Sequence, residues 1–171
     1  QPVGLRLPAT SGEPVPVHLF TFHAHGSWMP DRPEGYVKRR HGVLPTDPKM
    51  ANAYRARQNN PSTTFAPEIR EAIIDLLRAA AEAQQVQLHA VATDPTHVHA
   101  LVAWNSARTV IQVRANMKES LTRRLNQRFG RRAWFSRGGH DRRVRNREHF
   151  EHLFTKYLPS HVGPNWSRSD R

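Results

Sequence analysis

Apolar and polar positions follow two distinct periods along this chain, and the switches between them mark out its elements. Val15 to His25 alternates with period two, Val17, Leu19 and Thr21 opposing His18, Phe20 and Phe22, which predicts a first strand. From Gly26 to Pro67 prolines and glycines break the pattern, apart from a short helical stretch at Lys49–Gln58; a loop of this length inside a domain is usually functional. Helical periodicity then takes over. Ile69, Ile73, Leu76, Leu77 and Ala80 form one stripe across Glu68–Gln85, with Pro67 just ahead and Glu68 and Glu71 suited to the positive N-terminal end. Val86–Thr93 and His97–Trp104 read as the two strands of a hairpin, joined by the turn residues Asp94-Pro95-Thr96. A second helix, capped by Asn105 or Ser106, runs to about Phe129 and buries Val110, Val113, Met117, Leu121 and Leu125. Trp134-Phe135 and Asp141–Arg145 read as short strands, and Phe150, Leu153, Phe154 and Tyr157 predict a final helix over Arg147–Leu158.

The order strand, helix, strand, strand, helix, strand predicts an α+β fold: a ferredoxin-like split βαβ with a central antiparallel sheet, helices on one face, and a C-terminal helix bearing a tyrosine. In that topology the first and third strands lie side by side at the centre of the sheet. A chain of 171 residues suits one domain. The expected division is a flexible leader at 1–15, rich in Pro, Gly and Ser, a single catalytic domain at 16–165, and a tail at 166–171.

The residues with the most chemical content are His97 and His99. On a strand they leave the same face, close enough to share one divalent metal, while Val98, Ala100 and Val102 line the other. Two imidazoles leave positions open for a third ligand and a substrate oxygen. A His-x-His pair alone is more often two ordinary half-buried histidines. A second pair, His23-Ala24-His25, lacks the apolar continuation because Gly26-Ser27 follows at once, and it reads as satisfied or exposed histidines. The spacing of Tyr157 from Leu153 and Phe154 is, by itself, that of a core residue.

Charge narrows the partner. Lys plus Arg number 26 against 14 for Asp plus Glu, a net charge of +12, and only Lys38, Lys49, Lys118 and Lys156 are lysines. Arginine's planar fork suits phosphates and base edges, so nucleic acid is the first inference, ahead of a membrane surface. No apolar run approaches the roughly 20 residues that span a bilayer. The beginning of the chain has no signal-peptide pattern, and without cysteines there are neither disulfides nor thiolate metal sites; a cytoplasmic protein is expected. The arginines fall into two groups, one on or just after the second long helix and one around the last strand. The set expected to meet nucleic acid is Arg123, Arg124, Arg137, Arg142, Arg143, Arg145 and Trp28. Trp104, Trp134 and Phe135 are further candidate stacking platforms, with at least two of the four aromatics expected in the core.

Several blocks in a fixed order resemble the HUH endonuclease superfamily, and specifically the single-tyrosine, REP-associated transposases. They are Phe20-Thr21-Phe22, Gly26-Ser27-Trp28-Met29-Pro30, Gly35-Tyr36-Val37, Pro95 to Val102, Trp134 to Asp141, and the Tyr157 helix. The resemblance spans Val17 to His161. It implies cleavage and rejoining of single-stranded DNA near hairpins in a bacterial, nucleoid-associated setting. His97 and His99 would hold Mg2+ or Mn2+, and Tyr157 would form a 5′-phosphotyrosine. His161, one turn past the tyrosine, would complete the metal site where the family usually has Asn or Gln; an imidazole there favours a softer ion. Pro159 also departs from the family, whose proline follows the third ligand. A homodimer is left open. Two other readings stand beside this one: a catalytically silent, domesticated binder of hairpin DNA or RNA, and a metal-dependent hydrolase of small phosphoesters, which leaves the arginines unexplained.

Overall fold

In the computed structural model, which describes residues 15–27, 29, 35–38, 40–58 and 61–168, the first alternating stretch forms β1 (Val17–His23). Tyr36–Lys38 (β2) and Gly42–Leu44 (β3) make a separate two-stranded ribbon. Gln87–Thr93 (β4) and His97–Ala103 (β5) form the expected hairpin, in which the Asp94 N–H donates to the His97 carbonyl at 3.0 Å and Pro95-Thr96 is the loop. With His140–Arg143 (β6) and Asn165–Ser167 (β7) they build one antiparallel sheet of order β6-β1-β5-β4-β7. Without β7 this is the ferredoxin-like order, with β1 and β5 adjacent at the centre as expected. β7 is an element that periodicity misses: Trp166 pairs with Val91 and Ser167 with Ala90, so these two residues sit in the sheet and not in a tail. Trp134-Phe135 is not a strand; Phe135 makes only an isolated bridge to Ala24.

One face of the sheet carries α2 (Pro67–Ala83) and α3 (Val110–Phe129), which follow the short α1 (Pro48–Arg57) in the irregular segment. Phe20, Phe22, Val98, Ala100 and Val102 pack there against Ile73, Leu77, Met117, Leu121 and Leu125. Burying side chains of this size stabilises by about 1.5–3 kcal/mol each. α3 starts later than its predicted cap. Thr109 Oγ1 accepts from the Gln112 N–H at 3.2 Å, and the Gln112 side chain accepts from the Thr109 N–H at 2.8 Å, a capping box that neither Asn105 nor Ser106 can form. Trp104 closes the intervening turn, its Nε1–H donating to the Arg108 carbonyl at 3.0 Å.

The expectation of helices on a single face is corrected by the last helical rod, which covers the other face. α4 (Arg147–His152) continues into a π turn (Leu153–Tyr157) and a 3-10 turn (Leu158–Ser160). Phe150, Leu153 and Leu158 pack there on Leu19, Ala90, Ala92 and Leu101. β4 serves both layers through a bulge between Leu88 and Ala90, which turns His89 towards Phe150, ring centroids 5.4 Å apart and edge to face. No described helix is long and apolar enough to cross a membrane.

The chain after the rod is tied back to the hairpin. The Gly163 N–H donates to the Thr93 carbonyl at 3.0 Å, and Pro164 O accepts from both the N–H and the Oγ1 of Thr93, at 3.2 and 2.7 Å. A Cβ on Gly163 would lie 2.2 Å from the Thr93 carbonyl oxygen, so only glycine permits this approach. Gly163→Ala should therefore cost about 1–3 kcal/mol of stability, read by denaturant unfolding, because backbone has to move to admit the methyl group.

Acid should weaken the fold at a definable place. Burial, reinforced by the charge of Arg168, lowers the buried His89 from 6.5 to about 4. The unfolded chain therefore takes up a proton there as the pH falls through 6.5 while the folded chain does not, so stability is complete above that pH and is lost down to about 4. The expected contribution is about 3 kcal/mol. His89→Leu should flatten the decline between those pH values in denaturant titrations.

Candidate metal and tyrosine site

The register of the central strands builds the floor of the site. Thr21 lies opposite His99 and His23 opposite His97, so all four side chains leave the face covered by the final rod. The rings of His97 and His99 lie nearly parallel, 9° apart in plane with centroids 5.9 Å apart. The His23 ring is 4.8 Å from that of His97. Thr21 Oγ1 and His99 Nδ1 are 2.9 Å apart, which leaves Nε2 as the second ring nitrogen of His99 for a ligand. Burial lowers His99 to about 4, and the neighbouring imidazoles of His161 and His97 add to the effect. The ring is thus neutral at pH 7, the form in which an imidazole binds a metal.

Asp94 stands at the mouth of the hairpin. Its Oδ1 accepts from the Thr96 N–H at 2.7 Å and from His97 Nδ1 at 3.1 Å, while Thr96 Oγ1 is 2.9 Å from the same ring nitrogen. Burial would raise the Asp94 carboxyl, but the hydrogen bonds from His97 and the Thr96 amide outweigh it and hold it well below the usual carboxylate range. With Nδ1–H donating to a carboxylate, His97 presents the lone pair of Nε2.

The rod brings the tyrosine by a change of helical register. A continuous α-helix would place Tyr157 in the stripe of Phe150, Leu153 and Phe154. The π turn instead makes Leu158 the inward residue, five positions after Leu153, whose carbonyl accepts the Leu158 N–H. Leu158 is 1% exposed and Tyr157 is 37% exposed. Pro159 gives the physical reason: it has no N–H for the next helical bond and its ring crowds the carbonyl four residues back. The released Tyr157 ring lies 5.8 Å from the ring of His99 and 4.9 Å from that of His161. His161 follows the 3-10 turn in extended backbone. Its Nδ1 sits 3.0 Å from the Tyr157 carbonyl and 3.1 Å from that of Leu158, so this nitrogen carries the proton and Nε2 is the donor atom. The His161 ring is 4.5 Å from that of His99.

These donors fit a divalent cation. Among the described residues, Asp94, His99 and His161 each place one ligand atom within 4.8 Å of the others. His97 is held to this group through Asp94. Sequence reasoning singled out His97, His99, His161 and Tyr157. The structure brings the rings of His99, His161 and Tyr157 together, while His97 neighbours His99 and Asp94 and stands outside the Asp94, His99 and His161 donor group. Sequence reasoning missed Thr21 and Asp94, and it set His23 aside. Only strand pairing reveals Thr21 and puts His23 beside His97; Asp94 was legible as a turn residue but not as a neighbour of His161.

The predicted nucleic-acid residues are more scattered. Arg142, opposite Leu19, shares the rod's face, whereas Arg143, opposite His18, belongs to the face of α2 and α3. Arg145 follows β6, its N–H donating to His149 Nδ1 at 3.1 Å. Arg137 is exposed in a loop secured at the His23 end of β1, where the Ser136 N–H donates to the His23 carbonyl at 2.9 Å. The same loop is clamped by Lys118, whose Nζ donates to the Ser136 and Gly138 carbonyls. Arg123 and Arg124 are on α3, with the sheet between them and Tyr157. Trp28 lies outside the described residues. Trp134 is core, its Nε1–H donating to Asn126 at 2.8 Å and Arg132 stacked 3.9 Å above its ring; Phe135 and Trp104 pack partly against the same core.

No curated protein matches the chain. A candidate transposase from Deinococcus radiodurans R1 is similar in fold, with a TM-score of 0.50 and 13% identity over 92% of this chain and 99% of the other. The structure of a REP-associated tyrosine transposase bound to a REP hairpin aligns with a TM-score of 0.45 and 9% identity, over 86% of this chain and 68% of that one. The profile of the family described as "Transposase IS200 like" matches residues 56–140, a span that includes α2, the histidine hairpin and α3 and ends before Tyr157 and His161. Over these residues, just under half of its length, the chain is similar to the IS200-like transposase family.

Proposed function

We propose that this chain is a metal-dependent tyrosine transposase that nicks and rejoins single-stranded DNA at sites near hairpins. The observation that carries the reading is the convergence of an exposed tyrosine with imidazoles from β5 and from the end of the rod, the Tyr157 ring lying 4.9 Å from that of His161 and 5.8 Å from that of His99. Held by His97, His99 and His161, Mg2+ or Mn2+ would supply Lewis-acid polarisation of the scissile phosphate. Tyr157 Oη attacks phosphorus: the Oη–P bond forms, the P–O3′ bond breaks, and the phenol proton leaves as the 3′ oxygen becomes a hydroxyl. The product is a 5′-phosphotyrosine, and attack by another 3′-hydroxyl reverses the step, so the strand is rejoined without ATP. Thr21 and Asp94 hold the strand imidazoles in orientation, which spares their reorganisation when substrate arrives.

The polyanionic substrate accounts for the net charge of +12. Arg137, Arg142 and Arg145 are the proposed phosphate contacts on the tyrosine's side, and Arg123, Arg124 and Arg143 would meet a strand or hairpin that passes round the β6 edge. Trp28 is the proposed stacking residue. This work would be done on chromosomal DNA in the bacterial cytoplasm.

The test is a covalent one. Wild-type protein incubated with labelled, hairpin-flanked single-stranded DNA and Mn2+ should give an adduct that survives SDS. Tyr157→Phe should abolish the adduct and leave DNA binding within about twofold, since only a hydroxyl is lost. His99→Ala, or EDTA, should also remove cleavage. DNA binding without any wild-type adduct would favour the silent binder.

Binding should also weaken steeply with salt, because each neutralised phosphate releases about one counterion. Reversing the charge of Arg142 should lower affinity and flatten the slope of log Kd against log salt by about one unit. A Kd insensitive to salt would point to a small-phosphoester substrate instead.

A further inference from the structure

We propose that Asp94 is a member of the cation site, an anionic donor that stands beside the imidazoles and also fixes His97. This inference rests on the reading of His99 and His161 as metal ligands. One Asp94 carboxylate oxygen lies within 4.8 Å of a ring nitrogen on each of them. The carboxylate's own hydrogen bonds come from the Thr96 N–H at 2.7 Å, Thr96 Oγ1 at 3.3 Å and His97 Nδ1 at 3.1 Å. All three fall on Oδ1, the His97 backbone N–H also bonds the carboxylate, and Oδ2 is the proposed cation ligand.

The hairpin turn explains how one residue serves both ends. Oδ1 bonding to the amide two residues on is the ordinary turn interaction of an aspartate, and it pins the carboxylate over the strand that carries His97 and His99. The Thr93 bonds to Gly163 and Pro164 then draw the segment after His161 against the neighbouring residue. Asp94 is thereby held between two parts of the chain that are distant in sequence.

The chemistry of the donor set changes with this carboxylate. Imidazoles alone make a neutral and comparatively soft site, which suits Zn2+ as well as any harder ion. A carboxylate adds a negative charge and a hard oxygen and shifts preference towards Mn2+ and Mg2+. Asp94 thus offsets the softening expected from an imidazole at position 161.

The experiment is a Mn2+ titration of the intact purified protein without DNA, followed by the loss of the free-ion EPR signal. Asp94→Asn keeps an oxygen for the Thr96 amide and removes the charge. It should weaken Mn2+ binding about 10- to 100-fold, with a smaller loss for Zn2+ measured by competition with a chromogenic chelator. Equal Mn2+ affinity in wild type and Asp94→Asn would overturn the proposal and leave the histidine site standing. No Mn2+ binding by the wild type, or unchanged binding in His99→Ala, would overturn the histidine reading and this proposal with it. A measurement on the wild type guards against misfolding of the variant: Mg2+ should shift the side-chain 13Cγ resonance of Asp94 and leave those of Asp75 and Asp141 unmoved. An unshifted Asp94 under Mg2+ that does shift the His99 ring signals would overturn the proposal.

Discussion

The pairing of β1 with β5 is the constraint on which the rest depends. In that register Thr21 meets His99 and His23 meets His97 on one face, while Phe20 and Phe22 meet Ala100 and Val98 on the other. A slip of one residue would turn the imidazoles into the packed layer beneath α2 and α3 and put valines under the rod. The apolar side holds the register because Phe20, Phe22, Val98 and Ala100 all lie in the larger core. The polar side holds it through the contact of Thr21 with His99. The same alternation that drives folding therefore aims the histidines.

Each helical layer has a different task. α2 and α3 form a broad, continuous core with the sheet and supply rigidity. The rod on the other side is short, makes a smaller core, and changes its turn from α to π to 3-10 within a few residues. Its irregularity gives the site its shape. Leu158 anchors the rod, Tyr157 is left beside the imidazoles, and Pro159 ends the helix early enough for His161 to fold back over His99.

Much of this was legible in the residues themselves. The strands, the hairpin and the two long helices follow from periodicity, because each buries one face against a broad partner. His97 and His99 were legible for the same reason, since a strand of period two fixes their common direction. Tyr157 was found through resemblance to a family, whereas its spacing taken alone pointed into the core. That spacing misleads because helical periodicity assumes an α turn, and the extra residue in the π turn is set by Pro159 and by packing on the sheet. β7 was missed because three residues paired to an edge carry no pattern of their own. Asp94 reads as a turn former until the chain from the far end is laid beside it, and the predicted arginine track divides between two faces because charge along a sequence says nothing about sheet sides.

The tie between Thr93 and Gly163 has a consequence for the order of events in folding. Asp94, His97 and His99 come together within one hairpin, a contact of short range that forms early and cheaply in chain entropy. Tyr157 and His161 reach them only through long-range docking of the rod and its following bend. A chain emerging from the ribosome exposes the strand histidines long before its phenol is made. The chemistry of this face is thus withheld until both layers are in place, and a half-made or nicked molecule would carry the imidazoles without the tyrosine beside them.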